Sequence, residues 1–332
     1  MAHIKSRKHH YKTSLVALAA TLPLITHADN TTKEGVIQLP EITVKNKTVS
    51  EYKVDQLSSV KSSQALVDTP QTVSIINKNL LKEQGATTLV EALRNTPGIT
   101  LQLGENGNTS AGDAFQMRGF STQSSTYLDG IRDLGAVNRD VFNLEQVEVV
   151  KGPAGAEGGR GTASGYVNLV SKLPHLENSR EVSATYNTAE HTRLATDINQ
   201  VINDSIAIRL NAMGQDGGVE GRDYIENKGW AIAPSIAFGL DSDTRLYLYS
   251  QHIRQRNIPD GGIPTIGMKG FWNADPLIAN AAKVDRENYY GHADDHEDID
   301  ADMFTAKIES DWAENLKFTN ITRLGNTHMQ RT

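Results

Sequence analysis

Ile206-Ala207-Ile208-Arg209-Leu210-Asn211-Ala212 sets apolar or small side chains at 206, 208, 210 and 212 against Ala207, Arg209 and Asn211. A period of two places these sets on opposite faces of a β-strand. The alternation recurs at Val182/Ala184/Tyr186, Leu194/Thr196/Ile198, Ile232/Pro234/Ile236/Phe238 and Leu246/Leu248. Each segment is roughly ten residues long, and turn residues stand between them at 187–190, 203–204 and 239–243. One such segment is what any half-buried antiparallel strand shows. A series, joined alternately by short turns and by long polar connections at 214–227 and 255–301, is the pattern of a transmembrane β-barrel. About seven strands fit beyond Pro174, the last at 316–328.

Upstream the texture changes. Residues 71–76 are β-rich, Asn77 suits the cap of a helix that Gly85 stops, and Thr88 with Glu91 fits a capping box before a helix ended by Pro97-Gly98. Short strands are expected at 99–101, 114–118, 126–129, 147–151 and 166–170, separated by glycine-rich connections. Residues 61–174 therefore read as a small α+β domain. Before it, 29–60 is a polar tether with one β-branched island, Ile42-Thr43-Val44. The first 28 residues have the layout of a secretory signal peptide: Lys5, Arg7, Lys8 and Lys12, then an apolar 15–25, then Ala28. Its removal would take the formal charge from −7 to −11.

Composition narrows the field further. No stretch reaches the ~18–20 consecutive apolar residues of a spanning helix, which excludes a helical membrane protein. The chain of 332 residues has no cysteine, so disulfides, thiolate metal sites and a cysteine nucleophile are excluded. The acidic balance argues against nucleic acid as a partner. The six glycines of 152–165 lack the Gly-Lys-Ser/Thr ending of a phosphate loop. No catalytic arrangement is expected, and the chain is read as not an enzyme.

A resemblance joins these pieces. Asp68-Thr69-Pro70-Gln71-Thr72-Val73, Gln84-Gly85-Ala86-Thr87-Thr88-Leu89, Ala92-Leu93-Arg94-Asn95-Thr96-Pro97-Gly98, Met117-Arg118-Gly119-Phe120 and Tyr127-Leu128-Asp129-Gly130 follow in order. With Val147-Glu148-Val149-Val150-Lys151-Gly152-Pro153 and the run from Gly159 to Pro174, they resemble the plug domain of TonB-dependent ferric-siderophore receptors. Residues 257–267 (NIPDGGIPTIG) are similar to loops of catecholate siderophore receptors. The resemblance implies an α+β plug followed by an antiparallel transmembrane barrel of roughly twenty-two strands, of which about seven are present over 175–332. It also implies a place in the cell outer membrane. The expected partners are TonB with the ExbB–ExbD complex, a ferric siderophore and outer-membrane lipid, with no cofactor beyond that ligand. Since the plug follows the tether directly, transport without an N-terminal signalling domain is expected.

The same resemblance names residues. Glu41, Ile42, Thr43, Val44 and Lys45 resemble a TonB box; β-branched residues in a disordered tether suit addition as a strand to a partner's sheet edge. Arg118 is expected to be buried in the lumen and, with Arg160, to latch the plug to glutamates of the wall, because a buried arginine needs a partner. Apical loops are expected at 104–113, 121–126 and 134–139. A ferric tris-catecholate is an anion with aromatic faces, so Phe120, Arg132, Arg139, Arg254 and Arg256 are its candidate contacts. His292 and His296 with the neighbouring acids could hold a hard cation, but a solvated loop is the preferred reading and no metal site is expected. A haem or cobalamin receptor is the alternative within the class. Another is a non-transporting remnant, because roughly twenty-two strands need on the order of five hundred residues. Only 158 residues lie beyond Pro174, so the chain is read as the N-terminal portion of a longer receptor.

Overall fold

The computed structural model describes residues 52–332 apart from 60, 63, 103–111, 134, 136, 161, 162 and 315. The expected signal peptide 1–28, the expected TonB box 41–45 and nearly all of the expected 104–113 loop lie outside the described residues.

The plug is built from short elements whose ends are specified locally. Strand β1 (Thr72–Asn77) runs into helix α1 (Lys78–Glu83), where the Asn77 side chain accepts from the Leu80 N–H at 3.0 Å. Helix α2 (Leu89–Leu93) opens on a complete capping box: Thr88 Oγ1 accepts from the Glu91 N–H, and the Glu91 carboxylate accepts from the Thr88 N–H. Strands β2 (Ile99–Leu101), β3 (Phe115–Met117) and β4 (Phe120–Ser121) form a small antiparallel sheet. Next come β5 (Thr126–Leu128), β6 (Ile131–Arg132), β7 (Leu144–Lys151), the short helix α3 (Gly155–Gly158) and β8 (Gly165–Ser171). The main plug sheet has the order β1-β7-β8-β5-β6, with β5 parallel to β8. Gly165 has φ +121°, and a Cβ there would stand 1.9 Å from the Val150 carbonyl oxygen, so only glycine lets β7 and β8 close at this end. Helices α1 and α2 and the small sheet cover the main sheet, burying Leu81, Leu89, Leu93, Phe115, Met117, Val147, Val149, Val167 and Leu169 in one core.

The second sheet is a simple meander. Strands β9 (Ser179–Tyr186), β10 (Thr192–Asn203), β11 (Ile206–Val219), β12 (Arg222–Phe238), β13 (Thr244–Asn257), β14 (Glu297–Ala313) and β15 (Leu316–Arg331) pair antiparallel in sequence order. Seven strands make an open wall: β9 and β15 are its outer members and do not pair with each other, so the barrel is incomplete. Among the described residues no helix is long and apolar enough to cross a membrane.

Two expectations are corrected. The strands β10 to β15 run 12–17 residues rather than about ten. Residues 214–227, expected to be a long connection, are mostly strand, with β11 and β12 separated only by Glu220-Gly221. Likewise the 255–301 connection shrinks to 258–296 and holds the short helix α4 (Pro276–Ala279). The hydrogen-bonded ladder continues above the apolar band, where outward side chains are polar and the alternation that marks a strand fades.

The wall's faces are inverted relative to a soluble sheet. On β11, Ile208 and Leu210 are 41% and 37% exposed on the outer face, whereas Arg209 and Asn211 are 4% and 1% exposed on the face toward the plug. Leu194, Leu248, Phe304 and Leu324 continue the outer apolar surface, and Arg193, Asn199 and Ser235 the inner polar one. Polar-in, apolar-out alternation is what a strand needs when hydrocarbon lies outside and an aqueous lumen inside.

Candidate functional site

The chain passes from plug to wall directly after β8, and the junction is tied by short polar contacts. The Lys172 ammonium lies 3.0 Å from Asp197, and Arg209 grips the same carboxylate with two bonds of 2.8 Å while donating to the Leu173 carbonyl. Asn199 closes the junction by exchanging hydrogen bonds with the His175 backbone.

A second set of contacts lies between residues 129 and 140. Asp129 adopts φ 52° in the tight turn that follows β5. Its carboxylate accepts from the Ser171 N–H (2.8 Å) and hydroxyl (2.9 Å), the Tyr249 hydroxyl (3.0 Å) and Arg323 Nη2 (2.8 Å). Arg323 also donates to the Leu128 carbonyl. One plug carboxylate thereby joins β8 to two wall strands. At the other end, Asp140 takes a bidentate pair from Arg193, with Nε at 3.1 Å and Nη2 at 2.7 Å. Such fork geometry is the stronger form of a charge-assisted bond. Between them Asn138 donates to Glu297 at 2.7 Å and accepts from Gln255 at 2.8 Å. Val137 and the nearby Phe142 press into an apolar patch of the wall formed by Met213, Ala231, Ala233, Ile253 and Ile299. A cavity of about 210 Å³ remains under this span, lined by Asp133, Arg139 and Asp140 on the plug and Arg323, Gly325 and Thr327 on the wall.

Arg139 is buried and engaged by plug carboxylates. Its guanidinium is 2.7 Å from Asp133 and 3.3 Å from Asp113. Burial pushes the Asp113 carboxyl up to about 6 against the pull of Arg139. At the more open Asp133 burial raises the carboxyl too, but the charge and hydrogen bonds of Arg139 outweigh it and hold Asp133 below the usual carboxylate range. Burial likewise raises Asp140, with Arg193 opposing.

The expected site residues do not converge. Arg118 stands at φ 50° in the turn between β3 and β4, exposed beside the open seven-stranded wall, and makes no ion pair among the described residues. Its backbone N–H is held by the Gly98 carbonyl, and its side chain lies beside Gly98 and Gly152. Arg160 is also exposed; its carbonyl accepts from Arg132. Arg132 is half-buried, its guanidinium 5.6 Å from the Tyr127 ring centroid, and Phe120 is 61% exposed on β4. Arg254 and Arg256 project from the outer face of β13, because Ile253, Gln255 and Asn257 occupy the inner one. There they pair with Asp302 and Asp300 at 2.9 and 2.7 Å, and Arg254 lies over Trp230. Facing away from the lumen and already paired, they are unsuited to a ligand inside it. His292 and His296 stand in the exposed 258–296 connection, where Asp295 is engaged by Tyr289 and the His292 N–H. No metal-holding cluster occurs among the described residues.

Among the described residues the plug carboxylates Asp129 and Asp140 meet wall arginines Arg323 and Arg193, and the plug's Lys172 meets the wall's Asp197. Composition and spacing carry no signal for pairs separated by 194 and 53 residues. Only the turn residues Asp129-Gly130, within a quoted plug motif, fell on one of these partners.

Residues 65–166 match the family model of the TonB-dependent receptor plug domain. The catecholate siderophore receptor Fiu of Escherichia coli K12 is 44% identical over 288 residues, which is 85% of this chain and 38% of the relative. In its closed crystal form that receptor superposes with a TM-score of 0.81, at 43% identity over 84% of this chain and 40% of the other. The siderophore receptor PiuA of Acinetobacter baumannii gives 0.77, at 37% identity over 84% and 40%. The chain thus spans about two fifths of the length of these relatives. It carries a TonB-dependent receptor plug domain joined to the first seven strands of an antiparallel barrel wall, and in both parts it is similar to the TonB-dependent siderophore receptors.

Proposed function

We propose that the chain is the plug-bearing part of an outer-membrane receptor that binds a ferric siderophore of the catecholate class and imports it with energy delivered by TonB. The observation that carries this reading is the inverted wall: leucine and isoleucine face outward, while arginine and asparagine face a folded plug. That arrangement suits a stoppered aqueous lumen in a bilayer. Similarity to a receptor named for catecholate siderophores supports the ligand class.

Residues 1–28 direct export, the island at 41–45 reaches TonB, coupled to ExbB–ExbD, as an added strand, and outer-membrane lipid covers the wall. An iron-starved, receptor-deficient strain carrying the gene and fed individual ferric siderophores tests the reading. Growth is expected on catecholates, and growth on none of them overturns it. Deleting 41–45 should abolish uptake and leave surface binding of the ferric complex intact; loss of both would count against the TonB-box assignment.

A further inference from the structure

Strand β13 gives alternate side chains to the two faces of the wall. Tyr249, Gln251 and Ile253 point toward the plug, so Ser250, His252 and Arg254 point outward. On that outer face three polar groups stand in line. His252 Nδ1 lies 2.7 Å from Asp302 Oδ1 on β14, and His252 Nε2 lies 3.1 Å from the Ser250 hydroxyl. A carboxylate only accepts, so Nδ1 carries the proton of the neutral ring and Nε2 accepts from the Ser250 O–H. Asp302 is directly opposite His252 in the β13–β14 ladder, and the Phe304 ring meets the imidazole edge-on, 5.3 Å between centroids, which holds its orientation. A hydroxyl, a base and an orienting carboxylate within hydrogen-bond reach are the arrangement that activates a serine for acyl transfer. Separations of two and 50 residues leave no motif for it in the sequence.

The surroundings indicate a substrate. A groove of about 480 Å³ opens on the outer face, lined by Ser250 with Pro234, Ile236, Leu248, Phe304 and Leu324. Pro234 has no N–H to give, and the pairing of β12 with β13 lapses beside Ser250, between Ile232↔His252 and Ser235↔Tyr249. Toward the 258–296 connection the outer face turns to charge, with Arg254 on Asp302 and Arg256 on Asp300. The three groups thus stand where apolar surface gives way to polar, the depth at which hydrocarbon meets headgroups and a lipid's acyl esters lie.

We propose that Ser250, His252 and Asp302 form an acyl-ester hydrolase site on the lipid-facing side of the wall, acting on a membrane lipid whose acyl chain lies in the groove. Ser250 Oγ bonds to the ester carbonyl carbon as its proton passes to His252 Nε2. The bond from that carbon to the lipid alcohol then breaks, and His252 returns the proton to the alcohol oxygen. Water, giving a proton to the same nitrogen, attacks the acyl-serine; the fatty acid leaves and Ser250 Oγ regains its proton. The carbonyl oxygen takes its negative charge beside the lapse in β12–β13 pairing, the place for a backbone donor. Asp302 is a positioning residue that orients the imidazole, and it is shared with Arg254. This activity goes beyond import and takes from the reading above only the contact of the wall with lipid.

Outer membranes of cells expressing the gene, with empty-vector membranes as the blank, test it with two probes. A fluorophosphonate is expected to leave its phosphonyl group on the peptide containing Ser250. A phosphatidylethanolamine labelled on one acyl chain is expected to release labelled fatty acid, and Ser250→Ala and His252→Asn should each lower that release by about a hundredfold or more. No adduct at Ser250 in the parent, or release unchanged in Ser250→Ala, overturns the proposal. Asp302→Asn should slow adduct formation by about tenfold, whereas Arg254→Gln should not slow it. Equal slowing by both would make Asp302 an ion-pair partner alone and overturn its place in the site. Absence of the parent chain from the outer-membrane fraction sinks the lipid-facing reading of the wall instead.

Discussion

Plug and wall obey the same alternation and assign it oppositely. In the plug, Phe115 is 1% and Leu89 0% exposed; in the wall, Arg209 is nearly as buried as Phe115 while Leu210 stands outward. The difference lies in the surroundings, not in the strand. A plug strand buries its apolar side because water lies beyond it. A wall strand gains nothing by burying leucine against an aqueous lumen, and its apolar side is stable only against hydrocarbon. Hydrophobicity alone therefore does not tell inside from outside in this chain; the partner on each face does.

The comparison can be broken most forcefully in the plug. Phe115→Ala is expected to cost about 3–5 kcal/mol of plug stability, read from exchange protection of β7 and β8, because the cavity cannot collapse under a closed sheet. A cost below about 1 kcal/mol would mean the plug core is not close-packed. In the wall, Leu210→Arg should cost about 2–4 kcal/mol of insertion into lipid vesicles, falling toward zero for the same change on an inward site. Equal costs on both faces would deny the inversion.

A subtler test uses pH. The Asp113 carboxyl is raised to about 6 from 3.8, so the folded plug holds its proton more tightly than the unfolded chain. Asp113 therefore contributes stability that is fully present below its unfolded value and lost as pH rises through about 6. Unfolding of the plug followed from pH 4 to pH 7 should show this loss, and Asp113→Asn should flatten it. The smallest expected effect is local: Thr88→Ala removes the cap of α2 and should cost about 1 kcal/mol, seen as fraying of that helix alone.

What the residues disclosed in advance follows from range. The Asn77 cap, the Thr88/Glu91 box and the period-two runs are written within a few neighbours, and all of them correspond to observed elements. Strand ends were misjudged where Gly214-Gln215-Asp216-Gly217-Gly218 looks like a turn, since a ladder above the apolar band needs only backbone pairing. The candidate site was less legible still. Arg139 offered a cation without showing that Asp113 and Asp133 would enclose it. Arg254 and Arg256 offered two more, but a one-residue shift in register decides whether they meet lumen or exterior. Latch partners lie far apart in the chain, and only the fold brings Asp129 to Arg323.

The inner face of the wall has a further consequence for assembly. Arg193 and Arg323 become enclosed as the strands curl, and an enclosed guanidinium without its carboxylate is far costlier than one in water. The plug has its own core, whereas the wall's outward leucines would draw neighbouring chains together in an aqueous compartment. The order that avoids both penalties is plug first and wall around it at the bilayer, with Asp129 and Asp140 acting as the mould against which the wall arginines set.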